Sequence, residues 1–400
     1  MQPVPRSGRS PVPQLLVLVT VALTIFGLLM VFSSSSVQAF QQMGDSQYYF
    51  KRQLGFSLGG LALVLFIWRL PYRKLKTLSL LGLAIAVALL VAVLIPGIGT
   101  VSNGARRWID LGAIRFQPSE FAKIALLVFG ASVLAQKRGK FRNLKDLMHP
   151  FGWVVGLLAF LVLLEPDMGT ALILTVSAVV LVFLAGVPFR WLGLIGSALG
   201  ALALLAIWIE PYRLTRMLSF FDPWGQRQEG GFQIVQSLLA FGSGGLTGQG
   251  LGNGHQKFYY LPQSSTDFIF AIVGEELGLA GCLLLLGLFL ALGYLGIRIA
   301  LRAPDNFGRL LAAGITGAIL TQALLNLAAV TAVVPVTGVP LPFISYGGSA
   351  LIGQLAGVGI LLSIARAQRM EVLSARSDLR RRDRGSRPPR PSARRRTAGA

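Results

Sequence analysis

Long apolar runs without a single charged residue divide this sequence. A bilayer core needs about 20 mostly apolar residues per helix, and the run at 310–365 is long enough to cross it twice. Other uncharged runs lie at 53–68, 77–105, 124–136, 150–164, 168–189, 191–209 and 277–297. Only 13% of the residues are charged, against about 25% in soluble domains. The chain is therefore predicted to be an all-α polytopic membrane protein.

The runs predict about ten transmembrane helices, separated by proline and glycine residues that stop helices. We place them at 15–35, 53–68, 77–95, 119–135, 150–164, 169–186, 191–209, 268–296, 310–333 and 349–365. The first is longer than the apolar part of a signal peptide and has no clear cleavage site, so it is predicted to be retained. The membrane domain thus covers 15–366, with a large loop at 210–267 between helices 7 and 8.

Basic residues orient this domain. With a cytoplasmic N-terminal segment at 1–14, 27 of the 37 Lys and Arg residues fall in cytoplasmic segments. This is the positive-inside pattern. Both termini are therefore predicted to be cytoplasmic and the 210–267 loop extracytoplasmic.

The segment 367–400 is an arginine-rich tail with Pro and Ser that is predicted to be disordered. It dominates the net charge of +21. In a membrane protein, such a tail favours anionic lipid of the inner leaflet, at about 1 kcal/mol per basic residue, over nucleic acid.

Acidic residues gather on the opposite side. Eleven of the 16 acids fall in the outer loops or at outer helix ends. Glu120 and Lys123 are three residues apart in SEFAK and share one helical face. They either neutralise each other or, with Arg106, Arg107 and Arg115 just above them, form a polar patch that receives a charged headgroup. We favour the patch, because a pair needs only one base.

Asp267 lies at the predicted start of helix 8. The position of this carboxylate alone favours a helix cap. A role as general base is not excluded by capping, because a base needs a fixed rotamer and an environment that adjusts its pKa. Glu275 and Glu276 follow at a depth of about 12–14 Å in a regular helix, too deep to share one reaction centre with Asp267. They are expected to line a polar cavity or to hydrogen-bond neighbouring helices.

Several classes of protein are excluded or disfavoured. The sequence contains no Walker motif, no dinucleotide-binding turn and no serine-hydrolase signature, which argues against ATP-driven transport by this chain. The two histidines and Cys282 form no zinc-ligand pattern, and Cys282 is expected to be a small buried apolar residue.

Four strings resemble the SEDS family of shape, elongation, division and sporulation proteins. They are NGARRWIDLGAIRFQPSEFAK (103–123), EPDMGTA (165–171), GLGNGHQKFYYLPQSSTDFIFAIVGEELG (250–278) and PVTGVPLPFISYGGSALI (335–352). The resemblance covers roughly residues 14–366 in the right order. Within the family, QKFYYLP and the GLGNG turn are more similar to the division branch than to the elongation branch.

The resemblance implies a ten-helix peptidoglycan glycosyltransferase that polymerises lipid II at the outer face of the bacterial cytoplasmic membrane, during septal synthesis. It implies that Asp267 is catalytic, and that Arg107, Glu120, Lys123 and Asp167 line an outward-facing cavity. Family members often carry an acid and a histidine where this chain has Gln263, Ser264 and Ser265, so no acid or metal-ligand role is expected for those three positions.

Glycosyl transfer from a polyprenyl diphosphate needs a base for the incoming hydroxyl and cations for the departing diphosphate. Asp267 is the candidate base. Arg107 and Lys123, with Arg115 and Lys257, are the candidate cations. A divalent cation, magnesium or manganese, could share that role, although no residue pattern establishes a metal site.

The resemblance also implies partners: a nascent glycan strand, a class B penicillin-binding protein that cross-links it, and other division proteins. Helices 310–333 and 349–365, rich in small residues, are either docking surfaces or internal packing surfaces. The competing functions are a lipid II flippase, the elongation polymerase and a non-catalytic scaffold. A flippase predicts polar residues through the full bilayer depth, whereas here the acids gather at the outer ends.

Overall fold

The computed structural model describes residues 11–102, 104–112, 114–137, 143–209, 211–227 and 230–385. The first helices are α1 (Val12–Met43), α2 (Tyr48–Arg69) and α3 (Arg73–Leu94). Three strands follow, β1 (Gly99–Ser102), β2 (Ala105–Leu111) and β3 (Ile114–Phe116). The remaining helices are α4 (Pro118–Lys137), α5 (Leu144–Leu147), α6 (Trp153–Leu164), α7 (Met168–Leu184), α8 (Phe189–Ile209), α9 (Pro211–Phe221), α10 (Phe232–Gly244), α11 (Ile269–Leu301), α12 (Asn306–Val330) and α13 (Gly348–Gly385), with a π-helical turn at Met148–Gly152 before α6.

The polytopic all-α prediction is confirmed. Among the described residues, eight helices are long and apolar enough to cross a bilayer: α1 to α4, the segment Lys145–Leu164, α11, α12 and the part of α13 at Gly348–Glu371. Two shorter apolar helices are α7 and the segment Phe189–Leu202 of α8. Each of the ten predicted segments overlaps one of these helices. The observed helices run past several predicted ends, because helices continue through interfacial polar residues that hydropathy does not count.

A small antiparallel sheet departs from the sequence prediction, which placed no strand anywhere. β2 pairs with both β1 and β3, and Asp110 lies opposite Arg115 in the second pair. β1 follows Pro96 and Gly97, where the predicted helix ends, and β2 carries Arg106, Arg107 and Asp110. Neither strand shows a regular alternation of apolar and polar residues, so no strand was predicted. The sheet connects α3 to α4 on the side predicted to be extracytoplasmic.

The helices pack with α4 near the centre of the bundle. α4 contacts α3, α7 and α12, while α13 lies along α2 and α11 lies along α1. Glycines permit close approach where helices cross: a Cβ on Gly60 would lie 2.3 Å from the Leu355 side chain. α8 differs from the others, since it packs chiefly against α7 and α9.

The small-residue face of α12 packs inside the bundle. A Cβ on Gly314 would lie 2.9 Å from Leu181, and one on Gly317 would lie 2.8 Å from Val180. Ala312 on the same helix is fully buried. Of the two alternatives for these small residues, the structure shows internal packing, because they admit α7 of the same chain.

The predicted boundary at 366/367 does not coincide with the end of a helix. α13 continues to Gly385, so residues 367–385 are helical rather than disordered, and residues 386–400 lie outside the described part. Leu, Ala and Arg are good helix formers, which favours extending a helix that the bundle has already nucleated. The guanidinium of Arg366 donates to the carbonyl of Arg69 at 3.0 Å, so the end of α2 is tied to this extension.

The helix α11 is interrupted at Gly278, where φ is +64°. The outer loop fills this break. The amides of Leu279 and Ala280 donate to the carbonyls of Gly245 and Leu246 at 3.0 and 3.1 Å. In the other direction, the amides of Gln249 and Gly250 donate to the carbonyls of Glu275 and Glu276 at 3.0 Å each. The break therefore leaves these backbone groups paired, as membrane depth requires.

Topology can be tested by cysteine accessibility, because Cys282 is the only cysteine. In a Cys282→Ser background, we expect Tyr260→Cys to react with a membrane-impermeant maleimide added to intact cells. Lys145→Cys should react only after permeabilisation, since the charge asymmetry places it in the cytoplasm. Both side chains are exposed. The reverse labelling would invert the assignment of the two faces.

The close contact between α10 and α11 gives a second prediction. A Cβ on Gly244 would lie 1.9 Å from the carbonyl oxygen of Gly274, whereas Gly242 faces open space. We expect Gly244→Ala to lower the melting temperature in detergent, because backbone cannot move aside as a flexible side chain can. Gly242→Ala, two residues away, should leave it unchanged or raise it slightly. Equal melting temperatures for the two variants would contradict this packing.

Candidate active site

Asp267 lies directly before α11 at the end of the outer loop. The N-cap of α11 is Phe268, and no side chain caps this helix. The interpretation of Asp267 as a cap is therefore wrong. The Asp267 side chain is partly exposed, and its carboxylate accepts no hydrogen bond from the described residues. Its backbone carbonyl, in contrast, accepts a 2.7 Å hydrogen bond from the side-chain amide of Asn326.

The electrostatic surroundings of Asp267 come from three other elements. Burial raises the pKa of Asp267 to about 6, and the charge of Asp167 acts in the same direction. The charges of Arg107 and Arg216 oppose this rise. At neutral pH the carboxylate is mostly ionised, yet its pKa is close enough to the ambient pH for it to exchange a proton.

Asp167 has the opposite character, because its carboxylate is saturated with hydrogen bonds. It is the N-cap of α7 and accepts from the Thr170 amide at 3.0 Å and the Thr170 hydroxyl at 2.9 Å. The side-chain amide of Gln117 donates at 3.1 Å, and Arg107 lies 3.5 Å away. Asp167 is 4% exposed. It therefore holds Arg107 in place rather than accepting a proton from a substrate.

Arg107 extends from β2 and keeps part of its guanidinium in reach of solvent, with its side chain 26% exposed. A partly exposed guanidinium with a fixed carboxylate behind it is suited to binding phosphate through its planar fork. Arg115 instead pairs with Asp110 at 3.0 Å and is mostly exposed, so it lies at the rim of the sheet.

Glu120 and Lys123 form an ion pair, the less favoured of the two alternatives for them. The ammonium of Lys123 lies 2.9 Å from Glu120 and donates to the side-chain oxygen of Gln322 at 3.0 Å. Both residues are buried. An ammonium has three donors, and the described residues account for two of them. The pair does not exclude the headgroup interpretation, which stays a prediction.

Lys257 belongs to a different cluster. Its buried ammonium lies 2.9 Å from Glu276 and 2.5 Å from the carbonyl of Gly252. Ser33 of α1 donates to the same Glu276 carboxylate at 2.7 Å, and Glu275 accepts from the amide of His255 at 2.7 Å. Glu275 and Glu276 hold the outer loop to α11 and α1, in line with the expected hydrogen bonds to neighbouring helices. The Lys257 ammonium is thus already paired within the protein. Its proposed role in binding substrate stays a prediction.

The loop between α12 and α13 forms the floor next to Asp267. Gly338 adopts φ of +69°, and a Cβ there would lie 3.7 Å from the Asp267 carboxylate. The Ser345 hydroxyl donates to the carbonyl of Thr266 at 2.6 Å. On the other side, a Cβ on Gly169 would lie 2.5 Å from the carbonyl of Thr337. This loop therefore brings the 165–171 and 250–278 strings together.

Sequence reasoning missed several residues of this site. The sequence analysis did not assign Arg216 to the site, although its position three residues after another arginine in the sequence is a usable signal. Glu165 was counted only as an outer acid. It is fully buried, with both carboxyl oxygens lacking a partner among the described residues. Burial, together with the charge of Asp167, raises its pKa to about 8 against the effect of Arg107.

The donor set does not fit a resident divalent cation. Among the described residues, no group of three or more His, Cys, Asp and Glu side chains is arranged to hold a metal. Asp167 has its oxygens occupied by Thr170, Gln117 and Arg107. Asp267 and Glu165 both have carboxylate oxygens without a hydrogen bond from the described residues, but no third ligand lies beside them in that part of the chain, so no step of the mechanism is assigned to a metal.

Comparison with known proteins identifies the family. The sequence profile of the cell cycle protein family that groups FtsW, RodA and SpoVE matches residues 13–370. The chain belongs to this family. Stage V sporulation protein E of Bacillus subtilis is 45% identical over 362 residues, covering 89% of this chain and 97% of that protein. The protein named probable peptidoglycan glycosyltransferase FtsW of Geobacter sulfurreducens is 42% identical, covering 88% and 94%.

Solved structures of the family share the fold. A chain of a peptidoglycan synthase complex, described as coordinating polymerization and crosslinking, has a TM-score of 0.73 at 32% identity and covers 88% of this chain and 97% of that chain. The rod shape determining protein RodA of Thermus thermophilus has a TM-score of 0.65 at 30% identity, covering 88% and 96%. The resemblance to the SEDS family is thereby confirmed.

The charges around Asp267 give a prediction that needs no substrate. A carbodiimide reacts with protonated carboxyl groups, so labelling of Asp267, read by mass spectrometry, should fall as pH rises through about 6. Arg107→Ala should move the midpoint to higher pH, because it removes a charge that favours the ionised form. Asp167→Asn should move it to lower pH, because it removes a like charge while an amide oxygen can still cap α7.

The control for this titration is Asp45→Asn, which breaks an exposed ion pair with Lys51 and should leave the midpoint unchanged. Shifts of Arg107→Ala and Asp167→Asn in the same direction would contradict the arrangement of charges around Asp267.

Proposed function

We propose that this protein polymerises lipid II into glycan strands at the outer face of the bacterial cytoplasmic membrane, with Asp267 as the general base. One observation carries the proposal: the Asp267 carboxylate, which accepts no hydrogen bond from the described residues, lies within the electrostatic reach of Arg107 and Arg216. The names of the FtsW relatives support the reaction class. Relatives from division and from sporulation reach 42% and 45% identity, so the septal role in cell division, rather than elongation, is part of this proposal.

The resemblance to the family implies an inverting displacement, for which Asp267 supplies a base and Arg107 and Arg216 supply cations. Asp267 removes the proton from the 4-hydroxyl of one lipid-linked disaccharide, and the resulting oxygen attacks the anomeric carbon of the growing chain. The new glycosidic C–O bond forms as the bond to the polyprenyl diphosphate breaks, and configuration at that carbon inverts. Arg107 and Arg216 stabilise the departing diphosphate, where charge develops. Lys123, with Arg115 at the rim, attracts the headgroup.

A transporter would place its polar groups differently. A flippase needs polar residues along a path across the membrane, whereas the site described here joins β2, α4, α7, α12 and the outer loop at one end of the helices. The arrangement of a base opposite cations also has no use in a scaffold that only recruits other proteins.

The proposed partners follow from the same chemistry. The chain has no serine-hydrolase signature, so cross-linking of the glycan requires a second protein, for which we propose a single-pass class B penicillin-binding protein. The related chain of the synthase complex supports this. Other division proteins at the septum, and anionic lipid at the basic C-terminal segment, complete the proposed set, which includes no nucleic acid.

Polymerisation by purified protein tests the proposal. With labelled lipid II and the partner penicillin-binding protein present, Asp267→Asn should lower glycan synthesis, read on a gel, by about 10²–10⁴-fold. The amide is nearly isosteric but cannot accept a proton, so lipid II binding should be largely kept. Arg107→Ala and Lys123→Met should weaken binding as well as turnover, since both remove charge facing the diphosphate.

The matched control is Lys51→Met, which removes an exposed outer lysine that pairs only with Asp45 among the described residues and should leave synthesis unchanged. Near-normal polymerisation by Asp267→Asn would exclude Asp267 as the base. Movement of labelled lipid II across vesicles without any polymer, by the unmodified protein and its partner, would favour the flippase.

A further inference from the structure

Two amide side chains on α12, Gln322 and Asn326, lie one helical turn apart on the same face. Both are buried, with Asn326 only 2% exposed. The Gln322 amide group donates to the carbonyl of Pro340 at 2.9 Å, and that of Asn326 donates to the carbonyl of Val339 at 2.7 Å. Together they bind two consecutive carbonyls of the loop that forms the floor of the site.

Each amide side chain also contacts one candidate functional residue of the site. The second donor of Asn326 reaches the backbone carbonyl of Asp267 at 2.7 Å. The oxygen of Gln322 accepts from the ammonium of Lys123 at 3.0 Å. The candidate base and one candidate cation are therefore fixed to the same two-residue stretch of backbone. The side-chain orientation of Asn326 follows from its partners, because two carbonyls can be served only by the NH₂ group.

This arrangement suits uncharged side chains. A buried carbonyl without a partner is destabilising, and a proline at 340 leaves fewer backbone donors in the loop. Amides supply the donors without adding a charge that would alter the balance of Asp267 with Arg107, Arg216 and Asp167. A serine at these positions would be too short to reach the carbonyls, and a lysine would add a charge.

We propose that Gln322 and Asn326 are positioning residues of the polymerisation reaction: Asn326 fixes the base and Gln322 fixes the Lys123 ammonium, both against the Val339–Pro340 backbone. The proposal rests on the proposed function, since it takes Asp267 as the base. Neither amide is assigned a contact with substrate.

The two residues are expected to affect different kinetic parameters. Asn326→Leu removes both donors that hold the base, so kcat should fall by about 10- to 100-fold, the order expected for an error near 1 Å in position, while KM for lipid II changes less than about twofold. Gln322→Leu removes the acceptor of Lys123, so KM should rise severalfold with a smaller change in kcat. Asn326→Leu should also move the acid limb of the kcat–pH profile, since Asp267 shifts relative to Arg107, Arg216 and Asp167.

The assay uses the full-length protein with its penicillin-binding partner, with melting temperatures measured for each variant. Thr316→Val is the matched control: Thr316 is buried on the same helix, its hydroxyl bonds only within α12, and its removal should change neither the pH profile nor the kcat–KM balance. Asn326→Ala, which removes both donors without adding a charge, is the second variant if Asn326→Leu does not fold.

Three outcomes separate the proposals. An inactive Asp267→Asn, with the split described above, supports both. An inactive Asp267→Asn, with an unchanged pH profile and KM in the α12 variants, overturns only the positioning roles, as does failure of both Asn326 variants to fold. An active Asp267→Asn overturns the proposed function and, with it, the role assigned to Asn326.

Discussion

Buried side-chain amides that satisfy an irregular backbone segment hold the centre of this protein together. The segment between α12 and α13 is not helical, yet it lies among the helices, where unpaired backbone groups are costly. Amides from three helices meet it: Gln53 of α2 donates to the carbonyl of Ser345 at 3.2 Å, and Gln354 of α13 accepts from the amide of Phe343 at 2.7 Å. Gln322 and Asn326 of α12 serve the carbonyls at 339 and 340. These hydrogen bonds fix the conformation of the α12–α13 segment beside Asp267.

The two aspartates of the site, Asp167 and Asp267, have the same side chain but different hydrogen bonding and therefore different roles. Asp167 is fully engaged by Thr170, Gln117 and Arg107, so its carboxylate holds Arg107 in a fixed position. Asp267 has its backbone fixed while its carboxylate has no hydrogen bond from the described residues. The first therefore orients a cation, and the second is available for proton transfer. Residue type alone does not separate these roles.

The membrane architecture could be predicted from the sequence because it depends on composition, whereas the details of the site could not. Apolar runs and the distribution of Lys and Arg are local properties, and they located every long helix. The ion pair of Glu120 and Lys123 was also predictable, since helical spacing brings them together. The contact of Ser33 with Glu276, the placement of Arg216, and the amides of α12 join residues distant in the chain. The β1–β3 sheet was not predicted because its strands are short and show no regular alternation of apolar and polar residues.

The break in α11 at Gly278 ties the outer loop into a membrane helix. Residues 245–250 donate and accept the backbone hydrogen bonds that the interruption leaves open, on both of its sides. A segment that takes part in the hydrogen-bond ladder of a helix cannot detach without opening that helix. Residues 245–257 and the outer part of α11 thus form one cooperative unit of folding. The loop that ends in Asp267 consequently has the local stability of the bundle rather than that of a surface connection.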